Sequence, residues 1–152
     1  SHLDVMSSSR LVPFEQELDH VKHYVSLELA DPVCPLQVNY DLQAEGFLVP
    51  PLTVQPLVEN AIRHGLLTRA EGGTVTVSTR EDDRLVVVTI ADDGRGISSA
   101  TTRQEQQSRV GIENVRERLE RQCGGTLEVQ SNAEGTVATM LLPKEGQKGD
   151  QS

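Results

Sequence analysis

The stretch PLTVQPLVENAIRHG, Pro51 to Gly65, carries Glu59 and Asn60 side by side, followed by Arg63 and His64 one turn on. A carboxylate next to a neutral amide oxygen is a pair of hard oxygen donors of the kind magnesium accepts. Asn is also a poor residue for a helix interior, because its side chain competes for backbone hydrogen bonds. On a wheel of 3.6 residues per turn, Val54, Leu57, Val58, Ala61 and Ile62 share one side, while Glu59, Asn60 and Arg63 fall on the other. The plain reading of that second side is a solvated face. The chemical reading is a face turned towards a ligand.

A second constellation, ADDGRG from Ala91 to Gly96, directly follows the apolar run RLVVVTI. Asp92 would stand at the end of a buried strand, and Gly94 and Gly96 would leave the backbone beyond it without Cβ atoms, so that a flat ligand can come close. An Asp-Gly turn with no further role fits the same residues. A dinucleotide fingerprint does not, because the third glycine is missing and a polar stretch stands where the receiving helix should begin. Nor does G-x-x-x-x-G-K-S/T occur anywhere. A third constellation, RVGIENVRERL, sets Gly111 at what reads as a helix start, where free N–H groups and the helix dipole favour phosphate. The charges behind it, Glu113, Arg116, Glu117, Arg118, Glu120 and Arg121, read as a salt-bridged solvated face.

These groups need a scaffold, and the hydrophobic pattern supplies one. Leu18, Val21, Val25 and Leu29 recur at spacings of three and four, predicting a helix from Phe14 that Asp31 and Pro32 stop. Period-two alternation from Leu36 to Gln43 predicts a half-buried strand. Pro50 and Pro51 lead into a helix from Thr53, a candidate N-cap, to His64, with Gly65 suited to a left-handed cap. Residues 73–80 and 84–92 predict two strands joined by a turn at EDD, the second apolar almost throughout and therefore central. After Ile97 no large apolar residue follows as far as Arg109, and the stretch reads as a long mobile loop. Helical spacing returns in Ile112, Val115 and Leu119 and closes on Gly124 and Gly125, and TLEVQS and TVATMLLP flank a last turn at NAEG. Strands without regular alternation with helices predict an α+β fold, a two-layer sandwich with helices on one face of a mixed sheet.

Composition narrows the function classes. The chain has 152 residues, the length of one domain. Its formal charge of −9 speaks against wrapping nucleic acid or lying on an anionic membrane, since both need clustered Lys and Arg. Cys34 and Cys123 have no C-x-x-C spacing, so both read as buried thiols of a reducing compartment rather than zinc or redox ligands. No apolar run reaches the roughly 18 residues of a membrane span. Residues 1–13 read as tag remnant and linker, 14–143 as the folded domain, and 144–152 as a disordered polar tail.

Taken in order, VQPLVENAIRHG, DDGRGI, GIENVRERL and the closing GTVATMLLP resemble the N box, the two glycine boxes and the final strand of the GHKL ATP-binding superfamily. Together with FEQELDHVKHYVSLE they are similar to sensor histidine kinases of the LytS-like class, and the likeness runs from Phe14 to Pro143. The resemblance implies a Bergerat-type sandwich in which ATP lies between two helices under a mobile lid. It implies that Asn60 coordinates magnesium bridging the phosphates, that Glu59 is its polar or general-base partner, and that Arg63 and His64 lie near the phosphates. It implies further that Asp92 accepts the adenine amino group, that Gly94 and Gly96 allow the approach, and that Gly111 leads the phosphate-facing helix. Ile97 and Ile112 count among the nucleotide-binding positions. Arg109 stands where many relatives carry glycine, within reach of a phosphate on this reading.

In that family the acceptor histidine lies in an upstream Pro-His-Phe motif, which this sequence lacks. His20 and His23 read as exposed helical histidines. The resemblance therefore implies the ATP-binding catalytic domain of a two-component kinase, with a short remnant of the preceding helical region. It would transfer the ATP γ-phosphoryl to a histidine in a dimerisation domain outside this chain. The implied partners are ATP, that phosphoacceptor domain and a response regulator, with no nucleic acid and no direct membrane contact. The implied place is the cytoplasmic part of a membrane-anchored parent. Two alternatives share the motifs: a GHKL ATPase that hydrolyses ATP to drive conformational change, and an interaction module without kinase activity.

Overall fold

Alternating side chains along five strands give the sheet one apolar face, and three helices cover it. The computed structural model describes residues 10–29, 36–66, 73–94 and 103–147. In chain order the elements are β1 (Val12–Pro13), α1 (Phe14–Leu29), β2 (Leu36–Leu42), β3 (Leu48–Val49) and α2 (Val54–Asn60), which continues as a π-helical segment, Ala61–Leu66. Then come β4 (Gly73–Glu81), β5 (Leu85–Asp92), α3 (Arg103–Cys123), β6 (Thr126–Asn132), β7 (Gly135–Pro143) and a 3-10 turn, Lys144–Gln147.

The main sheet has the order β2-β4-β5-β7-β6, and β1 pairs with β3 apart from it. The β2–β4 pair is parallel, with α2 carried in the connection, and the remaining pairs are antiparallel. The apolar run of residues 84–92 is the middle strand, as its composition demands. Val86, Val88 and Ile90 point to the buried face with Val75, Val77, Ala138, Met140 and Leu142. Against them pack Phe14, Leu18, Val21 and Val25 of α1, Val54, Leu57, Val58, Ala61 and Ile62 of α2, and Val115, Leu119 and Cys123 of α3. The opposite face is mixed: Asp41, Ser78, Arg80, Thr89, Val137 and Thr139 line a shallow cleft of about 370 Å³ there.

The folded body is wider than the interval 14–143. Leu11 is buried, Val12 pairs with Val49, and Phe14 stacks on Phe47 at 4.7 Å. A two-residue strand has no periodicity to detect, so the sequence pattern passes over it. At the other end, the Lys144 N–H donates to Arg84 O at 2.8 Å and its Nζ meets Glu81 Oε1 at 2.7 Å.

The largest departure from expectation is in α3. This helix is already under way at Arg103, so Gly111 lies within it rather than at its start. The reason is propensity: Gln, Glu and Arg favour helix strongly without needing an apolar stripe, and the pattern RQEQQSR offers nothing else. Gly65 likewise is no left-handed cap, since the helix widens through it to Leu66. Both histidines of α1, His20 and His23, are exposed as expected, and Cys123 is a buried free thiol. Cys34 lies outside the described residues, as do the two chain ends, residues 1–9 and 148–152.

At the β6–β7 turn, Gly135 has φ +150°, and a Cβ built there would stand 2.0 Å from Asp92 O. Only glycine lets the turn lie against the end of β5. Gly135→Ala should therefore lower the unfolding free energy by about 1–3 kcal/mol, read as a reduced midpoint in urea. An unchanged midpoint would show that the turn is not tied to Asp92.

Candidate functional site

The two sides of α2 separate by burial. Val54, Leu57, Val58, Ala61 and Ile62 are buried, Glu59 and Asn60 are half-buried, and Arg63 is exposed. Thr53 is not the N-cap in the expected sense, because its hydroxyl donates to Pro50 O at 2.8 Å and makes no cap bond. The unpaired N–H groups at the head of α2 are taken instead by Glu17 of α1. Its Oε1 accepts from the N–H groups of Thr53 and Val54 at 3.2 Å each, and its Oε2 accepts from Leu52 N–H at 3.2 Å. Pro56, in the first turn, has no N–H to satisfy.

The polar side of α2 faces α3. Pro56, Glu59, Asn60, Arg63, Gln107 and Gly111 line a cleft of about 230 Å³ between the two helices. The Asn60 Nδ2 donates to Ser108 O at 3.5 Å, and a Cβ at Gly111 would meet the same amide nitrogen at 3.5 Å. Arg63 Nη2 stands 3.9 Å from Glu59 Oε1. Burial pushes the Tyr24 phenol of α1 upwards, opposed by the Arg63 guanidinium beside it. The Ser108 hydroxyl is buried and has no hydrogen-bond partner among the described groups. The widened backbone of residues 61–66 packs on β4, β5 and β7, so the end of α2 rests on the middle of the sheet. Such π-helical turns are rare and recur where a helix serves a site.

Asp92 ends the central strand, between Val75 of β4 and Thr136 of β7. Its Oδ1 accepts the Gly94 N–H at 2.8 Å, and Gly94 is buried. Burial raises the Asp92 carboxyl above its ordinary value of 3.8. The Gly94 N–H opposes that shift, the charge of Asp93 adds to it, and the Thr136 N–H opposes it. Asp93 closes the strand end: its Oδ1 accepts Thr74 N–H at 2.8 Å, and its own N–H donates to Thr74 O at 3.3 Å.

Of the residues expected to act together, the structure gathers Glu59, Asn60, Arg63 and Gly111 in one cleft. Asp92 and Gly94 lie at the end of β5, where β4 begins. Ile112 points into the core rather than the cleft. Arg109 is exposed on α3. The His64 side chain, Gly96 and Ile97 lie outside what the structure describes. The charged run on α3 is only partly a solvated face. Glu117 and Arg121 are exposed and 3.8 Å apart, whereas Arg116 Nε donates to Leu127 O at 3.2 Å and Arg118 Nη1 donates to Leu52 O at 2.8 Å. The residue missed outright is Glu17. Its signal was present: position 17 lies on the apolar stripe of α1 with Phe14 and Val21, so a charge there needed a buried partner.

A mixed five-stranded sheet under three helices, with an amide and a carboxylate presented between two of them, defines the α+β sandwich of histidine kinase catalytic domains. Solved structures bear this out at the level of fold. The histidine kinase domain from the Erythrobacter litoralis EL346 blue-light activated histidine kinase superposes with a TM-score of 0.65 at 21% identity, covering 90% of this chain and 64% of that one. The mycobacterial sensor histidine kinase MprB gives 0.65 at 19%, covering 88% and 96%. In sequence, the family model described as histidine kinase-, DNA gyrase B-, and HSP90-like ATPase matches residues 52–146, and the chain belongs to that family. It is 30% identical to YwpD of Bacillus subtilis over 91% of this chain and 52% of that protein. It is 32% identical to the sensor histidine kinase/phosphatase LytS of Staphylococcus aureus, over 93% of this chain and 26% of that protein. The chain thus spans about half of one relative and a quarter of the other. Among the described residues no helix is long and apolar enough to cross a membrane.

The raised carboxyl of Asp92 gives a pH signature. A folded value above the unfolded one means that the ionised form weakens the fold. That loss sets in as pH rises through the folded value and is absent below about 3.8. Asp92→Asn should therefore be no less stable than the parent near neutral pH, with the difference shrinking as pH falls towards 3.8. Urea midpoints measured from pH 7 downwards check this, and a difference that grows on acidification would refute it.

Proposed function

We propose that this chain is the ATP-binding catalytic domain of a two-component sensor histidine kinase, and that it transfers the γ-phosphoryl of ATP to a histidine on a separate acceptor domain. The observation that carries this reading is the cleft in which Glu59 and Asn60 face α3, in a chain of this ATPase family. The domain expected over 14–143 widens to take in Leu11 and Lys144.

The residues present fit a magnesium nucleotide. Asn60 turns its Nδ2 to Ser108 O, which leaves Oδ1 as the atom for a cation. No group of three or more His, Cys, Asp or Glu side chains is placed to hold a metal among the described residues, so phosphate oxygens and water would supply the other ligands. Magnesium would neutralise charge on the transferring phosphoryl group. Glu59 would accept the proton that the attacking imidazole gives up, acting as general base. Arg63, exposed beside it, would pair with phosphate oxygens, and His64 would lie near them on the same reading. Asp92 would accept the adenine amino group at the end of β5, with Gly94, Gly96 and Ile97 forming the approach. Gly111 would border the phosphates from α3, while Ile112 would support that turn from the core side.

The cleft of about 230 Å³ is smaller than the roughly 300–1,000 Å³ of ordinary ligand pockets. On this reading the first turns of α3 would swing away from Asn60 to admit a triphosphate. Catalysis then rests on positioning and electrostatics, since phosphoryl transfer asks little covalent chemistry of the protein. A response regulator is the downstream partner on this reading, in keeping with a solved complex of the histidine kinase ThkA with the response regulator TrrA. ThkA shares this fold with a TM-score of 0.61. The domain would lie in the cytoplasm with its nucleotide, any membrane anchor belonging to another part of the parent protein.

Calorimetry with ATP, with and without magnesium, tests the site. Asp92→Asn should weaken ATP about 10- to 100-fold by losing a charged hydrogen bond, and Asn60→Ala should remove the magnesium dependence. Equal affinity in the parent and the Asp92 variant would sink the assignment of the adenine end. ATP turnover without any acceptor histidine would favour the hydrolytic alternative.

A further inference from the structure

Leu52, two residues before the first residue of α2, has φ +61°, the left-handed region that a leucine rarely enters. Its side chain is 54% exposed, so burial does not offset that strain. Two backbone contacts hold it there. The Leu52 N–H donates to Glu17 Oε2 at 3.2 Å, and Leu52 O accepts from Arg118 Nη1 at 2.8 Å. Glu17 belongs to α1 and Arg118 to α3, so one strained residue is gripped from the two helices that flank α2. Backbone strain persists only where the surroundings over-determine it, and such positions gather at sites and switches.

From these contacts we propose that Glu17 is a positioning residue for the nucleotide site, acting through Leu52 and the head of α2 to fix where Glu59 and Asn60 stand. The inference rests on the reading of the cleft as a nucleotide site. Glu17 touches neither the cleft nor a ligand. It accepts from three consecutive N–H groups, those of Leu52, Thr53 and Val54, and so sets both the first turn of α2 and the direction in which the chain enters it. α2 runs without a break into the π-helical segment that ends at Leu66, and a change of angle at its head is delivered to Asn60, its last residue. A movement of α1 relative to the sheet is thereby felt in the cleft, and so is a movement of α3, through Arg118.

The test compares Glu17→Gln, Leu52→Gly and the double variant, each first confirmed as folded by circular dichroism. Gln keeps the length of the side chain but turns an NH2 towards backbone donors. Amide exchange in the ligand-free protein reads positioning without any nucleotide. In Glu17→Gln, residues 58–62 should exchange at least about tenfold faster while residues 86–90 of β5 are unchanged, and ATP should bind about tenfold more weakly. Glycine adopts φ +61° without strain, so Leu52→Gly in the Glu17→Gln background should restore both readings in part. If Glu17 only supports the fold, exchange rises uniformly and the glycine adds to the damage by loosening the unfolded chain. That pattern overturns the proposal, and so does a Glu17→Gln protein with unaltered exchange in α2. Should the parent bind no ATP, the nucleotide reading fails, while the exchange data still decide the role of Glu17. If Glu17→Gln does not fold, Arg118→Gln takes its place, with the same selective change in α2 and the same rescue by Leu52→Gly expected.

Discussion

A carboxylate 1% exposed at the head of α2 is the interaction on which the rest of the site depends. Burying a charge is strongly unfavourable unless hydrogen bonds replace its water, and a helix N-terminus buried without partners is unfavourable for the same reason. Glu17 and α2 resolve each other's deficit. Because the carboxylate takes the N–H groups, Thr53 can turn its hydroxyl back to Pro50, and the chain can enter the helix through a left-handed Leu52. Removing either partner leaves the other buried and unsatisfied. α1 and α2 therefore form one unit, although they share neither a turn nor a continuous hydrogen-bond ladder.

The helix on the far side of the cleft is divided in a different way. The C-terminal half of α3 is anchored by Val115, Leu119 and Cys123, with Arg116 bound to β6 and Arg118 to the α2 entry. Its N-terminal half offers the core only Ser108 and Ile112 among the described side chains. There the described contact with α2 includes a long amide bond at 3.5 Å from Asn60 to Ser108 O, beside a buried hydroxyl without a partner among the described groups. A helix held by apolar burial at one end and mainly by polar groups at the other opens first at the polar end. The narrow cleft and the polar contact over it are thus two aspects of the same fact, that among the described side chains of α3 no apolar one before Ile112 is buried, Val110 being exposed.

Much of this was legible in the sequence, for identifiable reasons. Period-two and period-3.6 patterns located α1, β2, α2, β4, β5, β6 and β7, because each buries a regular row of side chains. The polar side of α2 was legible because Asn60 is out of place in a helix unless it has a partner. Three things were not. β1 and β3 are too short to carry a period. The start of α3 rests on backbone propensity, which leaves no trace in apolar spacing. Glu17 was hidden because a charge on an apolar stripe looks like noise until the orphan N–H groups of another helix are brought beside it. Those groups lie more than thirty residues further along the chain, and only tertiary structure brings them there.

The two ends of the proposed site are held by different physics. Asp92 sits in a strand paired on both sides, with Asp93 locked to Thr74 and Gly135 pressed against its carbonyl. Its position is fixed by the sheet ladder, which opens only when the fold does. Asn60 stands on one helix whose head is bonded to Glu17, and on the proposed reading the tilt of that helix would set its position under the N-terminal end of α3. A rigid acceptor suits a flat, neutral base whose hydrogen-bonding edge never changes shape. An adjustable amide suits phosphates, whose charge shifts during transfer and whose metal ligands must be exchanged. On the proposed reading the sheet would give the site its selectivity, and the entry to α2 would be where movement of α1 or α3 could act on its chemistry.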